Sequence, residues 1–195
     1  MPRRRYIFDP PDRFVAGTVG EPGERTFFLQ ARDGGRVVSV ALEKIQVAVL
    51  AERLAALLEE LGRRGVAEAD VEAEEPPIVT TVGVDDDVAP LDEPVDEAFR
   101  AGSLTLGWDG GAGRVLVEAR AVDEDGEPVD PDEDDDEDED GPDLLRVRMT
   151  AAAARDFVAR AERVVAAGRP PCPLCGAPLD PRGHICPRRN GQYVN

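Results

Sequence analysis

The sequence holds one histidine, one lysine and three cysteines in 195 residues, and no long apolar run. A helix needs about 18 or more apolar residues to span a bilayer, so helical membrane proteins are excluded. Residues 1–10 carry arginines but no apolar stretch, which argues against a secretion signal and predicts a cytoplasmic location. Lys44 is the sole lysine, and the other 22 bases are arginines. What is present fits a folded chain: 42% apolar and 33% charged residues are near globular usage. The length predicts one domain, or a domain with an appendage.

The net charge of −18 is concentrated in one place. Residues 123–143 contain fifteen acids and no base, whereas the other 174 residues carry 26 acids against 23 bases. The body is therefore nearly neutral. A like-charged run with so few apolar residues cannot offset its ordering entropy, so 123–143 is expected to be a disordered acidic insertion. Its alternating carboxylates resemble a calcium loop, but Glu137 stands where that loop needs glycine.

Alternation and β-branched content predict strands at Arg5–Asp9, Arg13–Val19, Arg25–Arg32 and Arg36–Leu42, with turns at Gly20–Gly23 and Asp33–Gly35. An amphipathic helix follows over Glu43–Leu61, stopped by Gly62 and Gly65. Strands at Ile78–Val84, Ala98–Trp108, Arg114–Val122 and Leu144–Met149 then lead into a helix from an N-cap at Thr150 to about Ala167, stopped by Gly168. Asp109–Gly113 sits between two strands and lacks the lysine of a phosphate loop, so it reads as a hairpin turn.

Two short matches suggest an internal repeat: Phe14–Val19 with Phe99–Leu104, and Phe28–Arg32 with Leu116–Arg120. The expected fold is α+β. Two tandem ββββα repeats, at 1–62 and 78–168, form antiparallel sheet with one covering helix each; 63–77 is a linker, and 169–195 is a small zinc-knuckle tail. Neither repeat is large enough to bury much alone, which predicts a shared core or edge.

The tail carries the strongest chemical signal. Cys172, Cys175, His184 and Cys186 are all of the cysteines and the only histidine, within fifteen residues. Thiolate and imidazole are the donors zinc prefers, and four protein ligands close a tetrahedral structural site with no position for substrate water. An odd cysteine count weighs against a disulfide framework, and Pro178 and Pro181 weigh against the helix that follows a redox Cys-x-x-Cys pair. With these side chains consumed, Ser-His and Cys-His nucleophile pairs are unavailable. Candidate contacts to anions or nucleic acid are Arg3, Arg4 and Arg5 beside Tyr6 and Phe8, Arg32 and Arg120 in the matched strands, and Arg188 and Arg189 beside the tail. Lys44 beside Glu43 reads as an ion pair at a helix start.

The order of motifs resembles an actinobacterial family catalogued only as a domain of unknown function, DUF3090. The residues that carry the resemblance are Phe8–Gly20, Arg25–Ala31, Leu42–Gln46, Phe99–Gly102, Cys172–Gly176, His184–Arg188 and Asn190–Gly191. It covers nearly the whole chain except the acidic insertion; Gln192 interrupts an expected Gly-Tyr pair without touching a metal ligand. The resemblance implies lineage and cytoplasmic location but no activity, beyond gene neighbours that are phosphatase-like and kinase-like.

Three functions compete. The favoured one is a non-catalytic binding or adaptor protein with structural zinc and a protein partner. The second is a single-stranded nucleic-acid binder, because tandem ββββα units are similar in grammar to PUR-type and Whirly-type folds and Tyr6, Phe8 and Trp108 look exposed. Net acidity opposes it. The third is an enzyme acting on a phosphorylated or nucleotide-like compound through arginine and carboxylates, which would need a concave pocket lined by Arg32, Arg120 or Lys44.

Overall fold

A computed structural model describes residues 3–21, 23–66, 89–123, 125–129, 141–167, 172–175, 186 and 188. The elements are β1 (Arg5–Phe8), β2 (Arg13–Val19), β3 (Thr26–Asp33), β4 (Arg36–Leu42), α1 (Lys44–Arg63), β5 (Glu97–Asp109), β6 (Arg114–Ala121), β7 (Leu144–Met149) and α2 (Ala151–Ala166). The fold is α+β, with one seven-stranded sheet in the order β1-β7-β6-β5-β4-β3-β2.

The expectation of a purely antiparallel sheet is corrected: β4–β5 and β1–β7 are parallel pairs. Alternation reports the faces of a strand but not the direction of its neighbour. Between β4 and β5 the chain returns through α1, and a return through a helix lays strands parallel. The predicted strand Ile78–Val84, most of the 63–77 linker, and Gly168 lie outside the described residues.

The sheet is strongly curved. Only residues 9–12 connect β1 at one edge to β2 at the other. Six interstrand steps would span about 29 Å in a flat sheet, while five extended residue steps reach at most about 18 Å. The edges therefore approach each other. Across the concave side, the Arg36 guanidinium of β4 donates to the Ile7 carbonyl of β1 at 3.4 Å and lies 4.7 Å from the Phe8 ring centroid. At the other edge, the buried Arg160 of α2 donates to the Ala16 carbonyl of β2 at 2.8 Å. Both contacts occupy edge carbonyls that would otherwise invite another strand.

Inside the curve lies one main core. Inward residues of every strand meet Val47, Leu50, Leu54, Leu58 and Leu61 of α1 and Ala154, Phe157 and Ala161 of α2. The 3.6-residue stripe places the α1 set on one side. Phe14 and Phe157 stack at 4.8 Å between centroids, tying α2 to the β2 edge. α1 starts where the Gln46 side chain turns back to accept the Glu43 N–H at 2.8 Å. It continues through Gly62 to Arg63, two residues past the expected end. The stop is Gly65, whose φ of +67° is a left-handed conformation that glycine adopts without penalty. Thr150 caps α2 as expected, its hydroxyl accepting the Ala153 N–H at 3.1 Å.

The convex side of β2–β4 carries a smaller cluster of Val15, Phe28, Ala41 and Leu91, with Val95 against it. Residues 89–96 supply this cover. A Cβ on Gly17 would come within 2.5 Å of Leu91, so only glycine leaves room there.

The succession β2–β3–β4–α1 recurs as β5–β6–β7–α2, with three strands rather than four among the described residues. Strand registers correct one of the two sequence matches. Gly17 faces Phe28 and Gly107 faces Leu116, so Phe28–Arg32 and Leu116–Arg120 hold equivalent places. By the same registers Phe14 corresponds to Leu104, not to Phe99. Phe99 pairs with Val40 of β4 as Phe8 pairs with Val147 of β7. The 13-residue β5 thus covers the ground that β1 and β2 share, and the apparent Phe14–Phe99 match is out of register.

The acidic insertion is ordered at its start. The Asp123 carboxylate accepts the N–H groups of Asp125 and Glu127, and Val122 bridges Pro128. These bonds make a tight turn that charge counting does not reveal. Residues 130–140 lie outside the described residues.

Candidate metal centre

Cys172 leads into a turn formed by Pro173, Leu174 and Cys175. That turn aims the backbone N–H groups of Leu174 and Cys175 at the Cys172 sulfur. Those two bonds, Cys175's first, stabilise the thiolate and lower the Cys172 pKa to about 6, against an opposing desolvation. Cys186 arrives from farther along the chain with its sulfur 3.9 Å from that of Cys172. The three sulfurs lie within 4.8 Å of one another; Cys172 and Cys186 are buried, and Cys175 is half-buried.

The spacing is informative. None of the three cysteines is in a disulfide, and the 3.9 Å between the Cys172 and Cys186 sulfurs is far beyond the disulfide bond length of about 2.05 Å. Sulfurs bonded at about 2.3 Å to one tetrahedral ion would sit about 3.8 Å apart. N–H groups directed at a sulfur are the outer-shell bonds that orient a ligating thiolate. Three such donors could hold a soft or borderline metal ion. His184 lies outside the described residues.

The predicted anion contacts are dispersed. Arg4 is tied across the sheet: its backbone N–H and Nε donate to the Asp143 carboxylate at 2.8 and 2.9 Å, and Nη2 donates to the Ala98 carbonyl. The Asp143 bond raises the Arg4 pKa above its already high ordinary value. Arg3 and Arg5 lie beside it at the start of β1, Arg188 is exposed, and Arg189 lies outside the described residues. Arg32 and Arg120 occupy equivalent outer-face positions but meet different carboxylates. Arg32, together with Arg13, bonds Asp92 at 3.1 and 2.8 Å. The Gln30 amide closes this contact by bonding the Asp92 backbone in both directions. Arg120 donates to Glu118 at 2.8 Å and to the Thr105 hydroxyl at 3.3 Å, and Arg146 also bonds Glu118. Glu118 and Arg120 are 3% and 4% exposed. Strand alternation places them on the outer face; their burial had no sequence signal. Asp92, in an irregular segment, had none either.

Two further expectations are corrected. Phe8 is 1% exposed, and Tyr6 and Trp108 are partly buried against the core, because the curvature folds these strands inward. They are not an open stacking surface. The Glu43 carboxylate pairs with Arg100 at 3.3 Å rather than with Lys44. Among the described residues, one cavity of about 240 Å³ is lined by Ile45, Gln46, Val49, Gly102 and Leu104. A second, of about 170 Å³, lies between the start of β2 and α2 and is lined by Asp12, Arg13, Asp156 and Arg160 among others. Neither includes Arg32, Arg120 or Lys44. Asp109, at the β5–β6 turn, accepts the N–H groups of Gly111 and Ala112, which lowers its pKa and identifies the glycine-rich run as a turn.

A family model described as DUF3090, a protein of unknown function, matches residues 6–186. No curated protein and no solved structure matches the chain.

Proposed function

The chain belongs to the DUF3090 family of proteins of unknown function, and from that premise we propose that it is a non-catalytic binding protein whose C-terminal segment is organised by one structural zinc ion. The observation that supports this is the cluster of three thiols within 4.8 Å, with two backbone N–H groups turned toward one of them. His184, two positions before Cys186, supplies the fourth donor in this reading. A Cys₃His set fills a tetrahedral zinc and leaves no open position for a substrate or water. The ion then serves folding rather than catalysis.

The same assignment shapes the rest of the function. With the only imidazole and every thiol engaged, general-base and nucleophile chemistry would fall to carboxylates, arginines, Lys44 and tyrosines. Arg4, Arg32 and Arg120 are already bonded to carboxylates, which weakens both the reading of an enzyme on a phosphorylated or nucleotide-like substrate and a direct nucleic-acid reading. A protein partner, in the cytoplasm, is the reading we favour.

The full chain, purified without chelator, should contain one zinc per molecule by elemental analysis. Cobalt substitution should give the visible bands of a tetrahedral thiolate site, and Cys172→Ser, Cys186→Ser and His184→Ala should each lower occupancy. Metal-free protein with three freely titratable thiols would overturn the assignment. Affinity capture with the intact chain tests the binding role, and failure to retain any protein stoichiometrically would count against it.

A further inference from the structure

The three thiols are unequal, and their inequality has a chemical consequence. Cys172 and Cys186 are 6% and 5% exposed, their sulfurs are 3.9 Å apart, and they come from segments 14 positions apart. Cys175 is half-buried and lies within 4.8 Å of both. From this arrangement we propose that the centre is also a thiol-oxidation site: a hydroperoxide enters at Cys175, and the end product is a Cys172–Cys186 disulfide with the metal expelled. The proposal rests on the metal reading above.

The Cys175 sulfur attacks one peroxide oxygen; the O–O bond breaks, and the departing oxygen is protonated to water or an alcohol. Cys175 is then a sulfenic acid. A neighbouring buried thiolate attacks that sulfur, the S–O bond breaks, an S–S bond forms, and hydroxide leaves and is protonated to water. Two sulfurs have together lost two electrons, and the peroxide has taken them. With two sulfurs tied up in the disulfide, the centre would hold a divalent ion by only one thiolate and would release it. The remaining thiolate then attacks its partner in the new disulfide and releases Cys175 by thiol–disulfide exchange. Exchange redistributes the pair without further oxidant.

Exposure decides both ends of this sequence. Access selects Cys175 for entry, because it is the half-buried thiol beside two buried ones. The uncharged disulfide takes the two buried positions, whose sulfurs already lie 3.9 Å apart, and leaves the half-buried Cys175 as the remaining thiol. Closing Cys172 to Cys186 also keeps the Cys172–Cys175 turn intact, because Cys186 approaches from a separate segment.

The test treats zinc-loaded full-length protein with one equivalent of hydrogen peroxide. Zinc release is followed with a metal indicator, and the bridged peptides are mapped after thiol alkylation. The expected result is one zinc released per disulfide, a Cys172–Cys186 bridge, and alkylated Cys175. Cys175→Ser, compared with the wild type after both are stripped of metal, should form the same bridge more slowly by an order of magnitude. Full zinc retention with three intact thiols, a final bridge that includes Cys175, or an unslowed Cys175→Ser variant would each overturn the proposal. A chain that carries no zinc as purified would refute the metal reading instead, and the bridge mapping on that metal-free chain would still decide the disulfide.

Discussion

Replacing Gly17 by alanine should test how the segment after residue 88 is held on the sheet. The added Cβ would stand 2.5 and 2.6 Å from Cδ2 and Cγ of Leu91, well inside van der Waals contact. Leu91 is 8% exposed and cannot simply swing into solvent. Relief means moving the segment, and Asp92, its neighbour, is bonded by Gln30, Arg13 and Arg32. Overpacking of this kind costs about 1–3 kcal/mol. For a chain of this size each kcal/mol lowers Tm by about 2–4 °C. Leu91→Ala should itself cost about 2–5 kcal/mol through lost burial and the cavity left behind. The decisive measurement is the double-mutant cycle by urea denaturation. Once Leu91 is truncated, Gly17→Ala should be neutral or stabilise by about 0.5–1 kcal/mol, because alanine restricts the unfolded chain more than glycine does. Equal costs of Gly17→Ala in both backgrounds would refute the contact.

Other substitutions probe the remaining devices. Glu118→Ala leaves Arg120 and Arg146 facing a buried site without their carboxylate, and urea unfolding should show a loss of about 3–5 kcal/mol, far more than at an exposed ion pair. Truncating the exposed Glu43, which pairs with Arg100, should cost no more than about 1 kcal/mol in the same assay. Thr150→Ala removes the α2 cap and should cost about 1 kcal/mol, with Thr150→Ser retaining most of it. Arg160→Met frees the Ala16 carbonyl at the β2 edge; concentration-dependent light scattering should rise relative to wild type.

Local signals were the legible ones. β2, β4 and β7 follow from alternation, α2 from Thr150 and its apolar stripe, and the cysteine cluster from ligand spacing. Each depends on residues near in sequence. What escaped depends on distant partners. The parallel pairing of β1 with β7 joins chain segments whose alternation is silent about direction. Phe8 and Tyr6 sit among arginines and read as exposed, yet curvature brings Arg36 against both rings. Arg32 and Arg120 read as open cations because their carboxylate partners lie either in an irregular segment or on the same strand, two positions away. The Phe14–Phe99 match failed for a related reason: similarity of short apolar strings carries no register, and only the ladders show that Phe99 shares its place with Phe8.

The four-residue passage from β1 to β2 has a consequence for synthesis on the ribosome. β1 emerges first, yet its ladder partner is β7, and the neighbouring Arg4–Asp143 bond spans 139 positions. The leading strand therefore waits, unpaired, until most of the chain has been translated. Pairings this remote are slow to form, so the opening residues should be the last to gain protection from hydrogen exchange during refolding. Trimming them would uncover β7, the strand that β1 pairs with although more than 130 positions separate the two along the chain.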